Sequence, residues 1–213
     1  MLRLSAFLAT VSFAVLLAAD PAAASYPGLF GSKEKRYETS AAFKKWHGMM
    51  ARFRSEKRKV NQSCDGGWFS DCHMQDWGKL LAGLRSADRE TQIRSIHAEM
   101  NSAPYITDPR NWGVRDYWAT PGQFFDKDGD CEDYAIAKYL SLRALGFGPD
   151  DMRVVVLKDQ NLRLMHAVLA VYIDGRTLIL DNQIRGVVED RNIHHYRPIY
   201  SINETGWWRH QRR

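Results

Sequence analysis

The sequence predicts an α+β fold: helices first, then a buried central helix, then an antiparallel sheet packed against it. Three observations carry that expectation. Apolar residues recur at spacings of three and four through residues 37–60 and again through 131–145, as they do along helices. Three runs rich in Val, Ile and Leu follow, at 152–159, 163–174 and 176–182. Asp174-Gly175, between the last two runs, is a two-residue hairpin signal that makes them antiparallel neighbours.

The chain has 213 residues, 45% of them apolar, which suffices for one core and is too polar for a membrane bundle. Residues 1–24 read as a signal peptide. Arg3 gives a positive start, an apolar run extends from Leu4 to Ala19, and small residues stand at Ala22-Ala23-Ala24. An uncleaved anchor helix is the alternative, disfavoured because the apolar run is short for a span. No cysteine follows the cleavage region, so no lipid anchor is expected. The expected product is an exported, soluble, single domain of residues 25–213. Its net charge of +5 is spread over mixed stretches such as "SKEKRYE" and "RFRSEKRKV", which read as solvated faces rather than a nucleic-acid surface.

In chain order, residues 37–60 predict a helix on Phe43, Trp46, Met50 and Phe53. Residues 76–86 and 88–102 predict two more, the second opening with Asp88 three residues before Thr91. The stretch 103–129 carries three prolines and is expected to be mostly irregular surface; a loop of that length is more often functional than idle. The helix from Cys131 is apolar over most of its circumference through Ala135, Ile136, Tyr139, Leu140, Leu142 and Leu145, and should end at Gly146.

Three cysteines in an exported chain leave one over after pairing. Cys64 and Cys72 flank "DGGWFSD" and lie close enough to bridge, which would add at most roughly 2–3 kcal/mol. That leaves Cys131. A lone cysteine is ordinarily an inert, buried one. This one stands in the first turn of a helix, capped by Asp128 or Asp130, where the macrodipole favours a thiolate.

Asp130, Glu132 and Asp133 oppose that ionisation unless a cation neutralises them. "DKDGDCED" is not an EF-hand, because counting from Asp126 the sixth and twelfth positions are Cys131 and Ala137. A less regular calcium site and a set of plain helix caps both remain open for these acids.

The hairpin turn sets a register. If Ile173 pairs with Arg176, Val168 pairs with Asp181, and His166 becomes a diagonal neighbour of Asp181, about 7 Å away at the backbone. Asn182 would point to the other face. A thiol at a helix start, a histidine and a matched acid are the nucleophile, base and orienter of thiol acyl transfer. The Cys131 N–H is half of an oxyanion hole, and Trp118 is left open as an indole donor, a wall or a packing residue. The other six histidines are read as structural or surface.

The runs "YITDPRNWGVRDYWATPGQFFDKDGDCEDYAIAKYLSLRALGF", "MHAVLAVY", "LILDN" and "RPIYSINETGWW" resemble the bacterial transglutaminase-like cysteine proteinases, the family of the LapG-type periplasmic proteases. The resemblance covers residues 37–208. It implies a papain-like, transglutaminase-like fold with Cys131, His166 and Asp181 as the triad. It also implies calcium held by Asp130, Glu132 and Asp133, and a periplasmic location. The implied substrate is a large surface adhesin cut between small residues. The implied regulator is an inner-membrane receptor responding to cyclic-di-GMP. The same triad would serve a transglutaminase, with an amine as acceptor. A cell-wall peptidase fits less well, and a non-enzymatic module would have no need of the triad.

Overall fold

The computed structural model describes residues 28–57 and 72–211. The expected signal peptide, residues 1–24, and the expected pairing of Cys64 with Cys72 lie outside the described residues. Among the described residues the chain forms six α-helices and one seven-stranded sheet, and no helix is long and apolar enough to cross a membrane.

A 3-10 turn at Leu29–Gly31 leads into strand β1 (Lys33–Tyr37). Helices α1 (Lys44–Lys57), α2 (Cys72–Leu84) and α3 (Arg89–Met100) follow, then the short α4 (Asp108–Asn111) and α5 (Pro121–Lys127), then α6 (Cys131–Ala144). The remaining strands are β2 (Met152–Asp159), β3 (Met165–Ile173), β4 (Arg176–Leu180), β5 (Val188–Glu189), β6 (Tyr196–Ile202) and β7 (Trp207–Gln211). The order across the sheet is β1-β7-β6-β2-β3-β4-β5, and every pairing is antiparallel.

The period-two alternation of the strands sorts their side chains between two faces. Val154, Leu169, Val171, Leu178 and Leu180 face the helices and join Trp46, Ile93, Ile96, Ile136, Tyr139 and Leu140 in the larger core. Val155, Leu157, Val168, Ala170, Tyr172 and Ile179 face the other way, where Leu29, Ile193 and Tyr196 cover them. α6 lies against β3 and β2, wholly buried from Asp133 to Leu142, which is why its sequence is apolar nearly all round.

Local signals held where their chemistry is local. Asp88 caps α3 by accepting from the Thr91 amide at 2.9 Å. Gly146, at φ 98°, follows the last turn of α6. Asp174 and Gly175 both take positive φ, the type I′ requirement, and set Ile173 opposite Arg176 as expected.

Two expectations needed correction. The helix expected over 37–60 begins at Lys44, because Tyr37 belongs to β1 and stacks on Trp207 at 4.4 Å, a partner at the far end of the chain that no local pattern displays. The segment 103–129 is also less irregular and less exposed than expected. Trp118, Ala119, Thr120 and Pro121 are buried, and Thr120 forms a capping box with Gln123 that starts α5 with Pro121 in its first turn. The signal was legible in the run Thr120-Pro121-Gly122-Gln123.

Candidate active site

α6 begins where residues 128–130 turn tightly. Ile106 donates its amide to the Gly129 carbonyl at 2.9 Å, pinning the turn from one side. From the other, Asp133 accepts the Asp130 amide at 3.2 Å, so the third helical residue caps its own helix start. A β-carbon on Gly129 would stand 2.5 Å from Asp133 Oδ2, so only glycine fits. Asp133 is fully buried, and its other oxygen accepts the Ala119 amide at 2.7 Å, which ties the 118–121 segment to the start of α6.

Cys131 is the first residue of α6 and carries a free thiol. The thiol donates to Glu132 Oε2 at 3.1 Å and faces the main-chain amide of Ala167 on β3, the residue after His166. Burial pushes this thiol far above its ordinary range, the Glu132 and Asp130 carboxylates push it further, and the Ala167 amide opposes them. In this arrangement burial first, and then Glu132 and Asp130, oppose the thiolate that the helix start favours.

His166 and Asp181 meet as the hairpin register requires. Leu169 pairs with Leu180, which extends to Val168 opposite Asp181 with His166 two residues along. His166 Nε2 lies 2.8 Å from Asp181 Oδ1, both side chains buried. Asp181 also accepts the Tyr196 hydroxyl at 2.5 Å and the Gln183 amide at 2.8 Å. Burial would raise its carboxyl, but His166, Tyr196 and Gln183 together hold it below the ordinary value. With Nε2 committed to the carboxylate, Nδ1 is the ring nitrogen left for a reacting group.

The acids around Cys131 are more numerous than the helix start alone suggests. Asp108 and Asp116, both from the 103–129 segment, join Glu132 within 4.8 Å of one another; Asp108, Asp130 and Asp133 form an overlapping group of the same size. Asp108 is buried and accepts the Tyr117 amide with one oxygen. Its other oxygen, and Oδ1 of Asp130, are buried without a hydrogen-bond partner. Burial first, and then neighbouring acids, push Asp108 up to about 6 and Asp130 up to about 7; burial also raises Glu132 and Asp133. Asp116 pairs with Lys45 in a half-exposed ion pair. Nothing in the sequence near Asp108 or Asp116 marks them as site residues, because only the fold-back of 103–129 brings them to α6.

Trp118 is a packing residue, buried edge-on against Trp46 with 6.5 Å between ring centroids. With Phe43, Trp46 and Tyr200 it also walls a cavity of about 290 Å3 beside Asp116. Tyr105 is half-exposed beside the helix start and stacks on Tyr134 at 6.4 Å. His97 and His210 are structural: His97 reaches the Ile184 and Arg185 carbonyls, and His210 sits between Ser32 and Ser201.

Residues 66–211 match the family model described as bacterial transglutaminase-like cysteine proteinase. No curated protein matches the chain. Among solved structures, calcium-bound LapG of Legionella pneumophila is 29% identical with a TM-score of 0.62, covering 74% of this chain and 87% of that one. The EGTA-treated form of the same protein is 28% identical with a TM-score of 0.63, covering 75% of this chain and 86% of that one. The chain belongs to the bacterial transglutaminase-like cysteine proteinases.

Proposed function

We propose that residues 25–213 form an exported, periplasmic, calcium-dependent cysteine endopeptidase working through Cys131, His166 and Asp181. The observation that carries this is the buried His166–Asp181 pair at 2.8 Å beside the strand residue whose amide faces the Cys131 thiol.

In the proposed reaction His166 Nδ1 accepts the thiol proton, and Cys131 Sγ adds to a peptide carbonyl while the Cys131 N–H steadies the oxygen. The imidazolium returns the proton to the leaving amine, leaving a thioester. Water, deprotonated by the same imidazole, then releases the acid and the thiol. Asp181 holds the imidazole in one tautomer and balances its charge.

The acids suit a hard cation: they are all oxygen donors, they crowd together, and two of their buried oxygens lack partners. Asp108, Asp116, Asp130 and Glu132 would hold calcium, with Asp133 behind them; its two oxygens already serve amides. When bound, calcium supplies the positive charge that cancels the repulsion opposing the Cys131 thiolate. Calcium-bound and EGTA-treated forms of the similar Legionella protein support this assignment.

The proposed substrate is an exported protein, such as a large surface adhesin cut between small residues, under the restraint of a cyclic-di-GMP receptor. The test is to incubate residues 25–213 with adhesin N-terminal fragments, with and without calcium and a primary amine. Cleavage that needs calcium and is lost in Cys131→Ala is the expected result. Joining of the amine without cleavage would make the chain a transglutaminase instead.

A further inference from the structure

Lys138 is a buried ionisable residue that the reaction above does not use. It lies seven residues after Cys131, two turns along the same face of α6, and is fully buried. Its ammonium donates to Asn101 Oδ1 at 2.6 Å. Asn101 ends α3, and its Nδ2 donates to the Asp181 carbonyl at 2.9 Å and reaches the Ile184 carbonyl at 3.3 Å. One turn earlier, His97 Nε2 meets the Ile184 and Arg185 carbonyls at 3.1 and 3.2 Å. The end of α3 therefore grips the main chain of 181–185, the segment that presents the acid to His166.

Lys138 decides which way that grip points. An ammonium can only donate, so the carbonyl end of the Asn101 amide must face it, and the NH2 end must then face Asp181. Besides Asn101, the ammonium meets, among the described residues, only the ring face of Tyr134, 5.6 Å from its centroid and one turn back on α6. A methionine of similar length would fill the slot, and a buried ammonium with so few acceptors carries a desolvation cost. Burial draws the Lys138 ammonium down to about 7, with Asp181 pulling it back up.

We propose, building on the assignment of Cys131, His166 and Asp181 above, that Lys138 and Asn101 are positioning residues. They tether the main chain of Asp181 to the helix that carries Cys131, so the acid, the imidazole and the nucleophile keep one relative placement.

The test is Lys138→Met, assayed as calcium-loaded protein on the fastest-cleaved member of a quenched fluorogenic peptide library with Ala-Ala at its centre. The expected result is a kcat lower by about tenfold or more, with KM within about twofold. Tm should be unchanged or higher, and the downfield proton resonance of the His166–Asp181 hydrogen bond should broaden or shift. Lys138→Gln keeps a donor without the charge and should recover part of kcat. Should Lys138→Met not fold, Asn101→Ser withdraws both amide arms and is read the same way. Wild-type kcat with an unchanged downfield resonance would overturn the proposal, and so would a loss of kcat that merely tracks a fall in Tm and is not relieved by Lys138→Gln. Asp181→Asn separates the two levels. If it retains wild-type kcat, the triad assignment itself fails; if it is inactive while Lys138→Met is not, only the positioning role fails.

Discussion

Tyr196 donates its hydroxyl to Asp181 Oδ2 at 2.5 Å, on the carboxylate oxygen that His166 does not use, and packs edge-on to the imidazole with 5.8 Å between ring centroids. The acid is thus satisfied on both oxygens by groups from three separate strands or loops, which is how a buried carboxylate stays ionised.

Tyr196→Phe removes one of those donors and leaves the ring in place. A buried acceptor left unpaired costs about 1–3 kcal/mol, so Tm should fall modestly. The folded pKa of Asp181 is depressed, so its contribution to stability and activity is present above its ordinary value and disappears as pH falls through the folded one. Without Tyr196 that loss should begin at higher pH. A pH–kcat/KM profile of the variant whose acidic limb coincides with the wild type would show that Tyr196 does not tune the acid.

Calcium should raise Tm, and more at pH 8 than at pH 5.5. Asp130 and Asp108 hold protons up to about 7 and about 6, so at low pH protons compete for the same oxygens. Titration calorimetry should find affinity rising through this window, with calcium bound more tightly than magnesium. Asp108→Asn and Asp116→Asn should each weaken binding. Equal affinity at both pH values would separate these acids from the ion.

Gly129→Ala should be poorly tolerated. The added methyl would meet Asp133 2.5 Å from Oδ2, and Asp133 cannot yield without releasing the Ala119 and Asp130 amides. A loss of about 2 kcal/mol or more, together with lost cleavage, is expected. A variant with wild-type Tm would mean that the Asp133 bridge does not hold the helix start.

Thiol counting bears on Cys64 and Cys72. Protein purified from the periplasm should take up a single iodoacetamide, mapped to Cys131, if the other two are paired. Three alkylated cysteines would remove the bridge.

The succession of α1, α2, α3, α6, β2, β3 and β4 and the closeness of His166 to Asp181 were legible because each rests on short-range rules, whereas β1, α4, α5, β5, β6 and β7 were not read. A two-residue turn sets the hairpin register, and strands alternate with period two. Residues whose partners come from distant segments were not legible as such. Asp108 and Asp116 look like loop acids, Tyr196 like one more aromatic on a strand, and Lys138 like a polar interruption of an apolar helix.

What the sequence determined by itself is the local frame: a capped, buried helix beginning at a cysteine, and a hairpin that aligns a histidine with an aspartate. These depend on backbone geometry and side-chain spacing within about a dozen residues. Only the tertiary structure decided the rest. Folding 103–129 back over the start of α6 turned three acids into a five-acid cluster around a thiol that burial, Glu132 and Asp130 push up, and bringing α3 to the end of β4 linked the buried Lys138 of α6, through Asn101, to the main chain of Asp181. Both depend on burial and on charges brought together from far along the chain, and desolvation is a property of the assembled core that no short stretch of sequence contains.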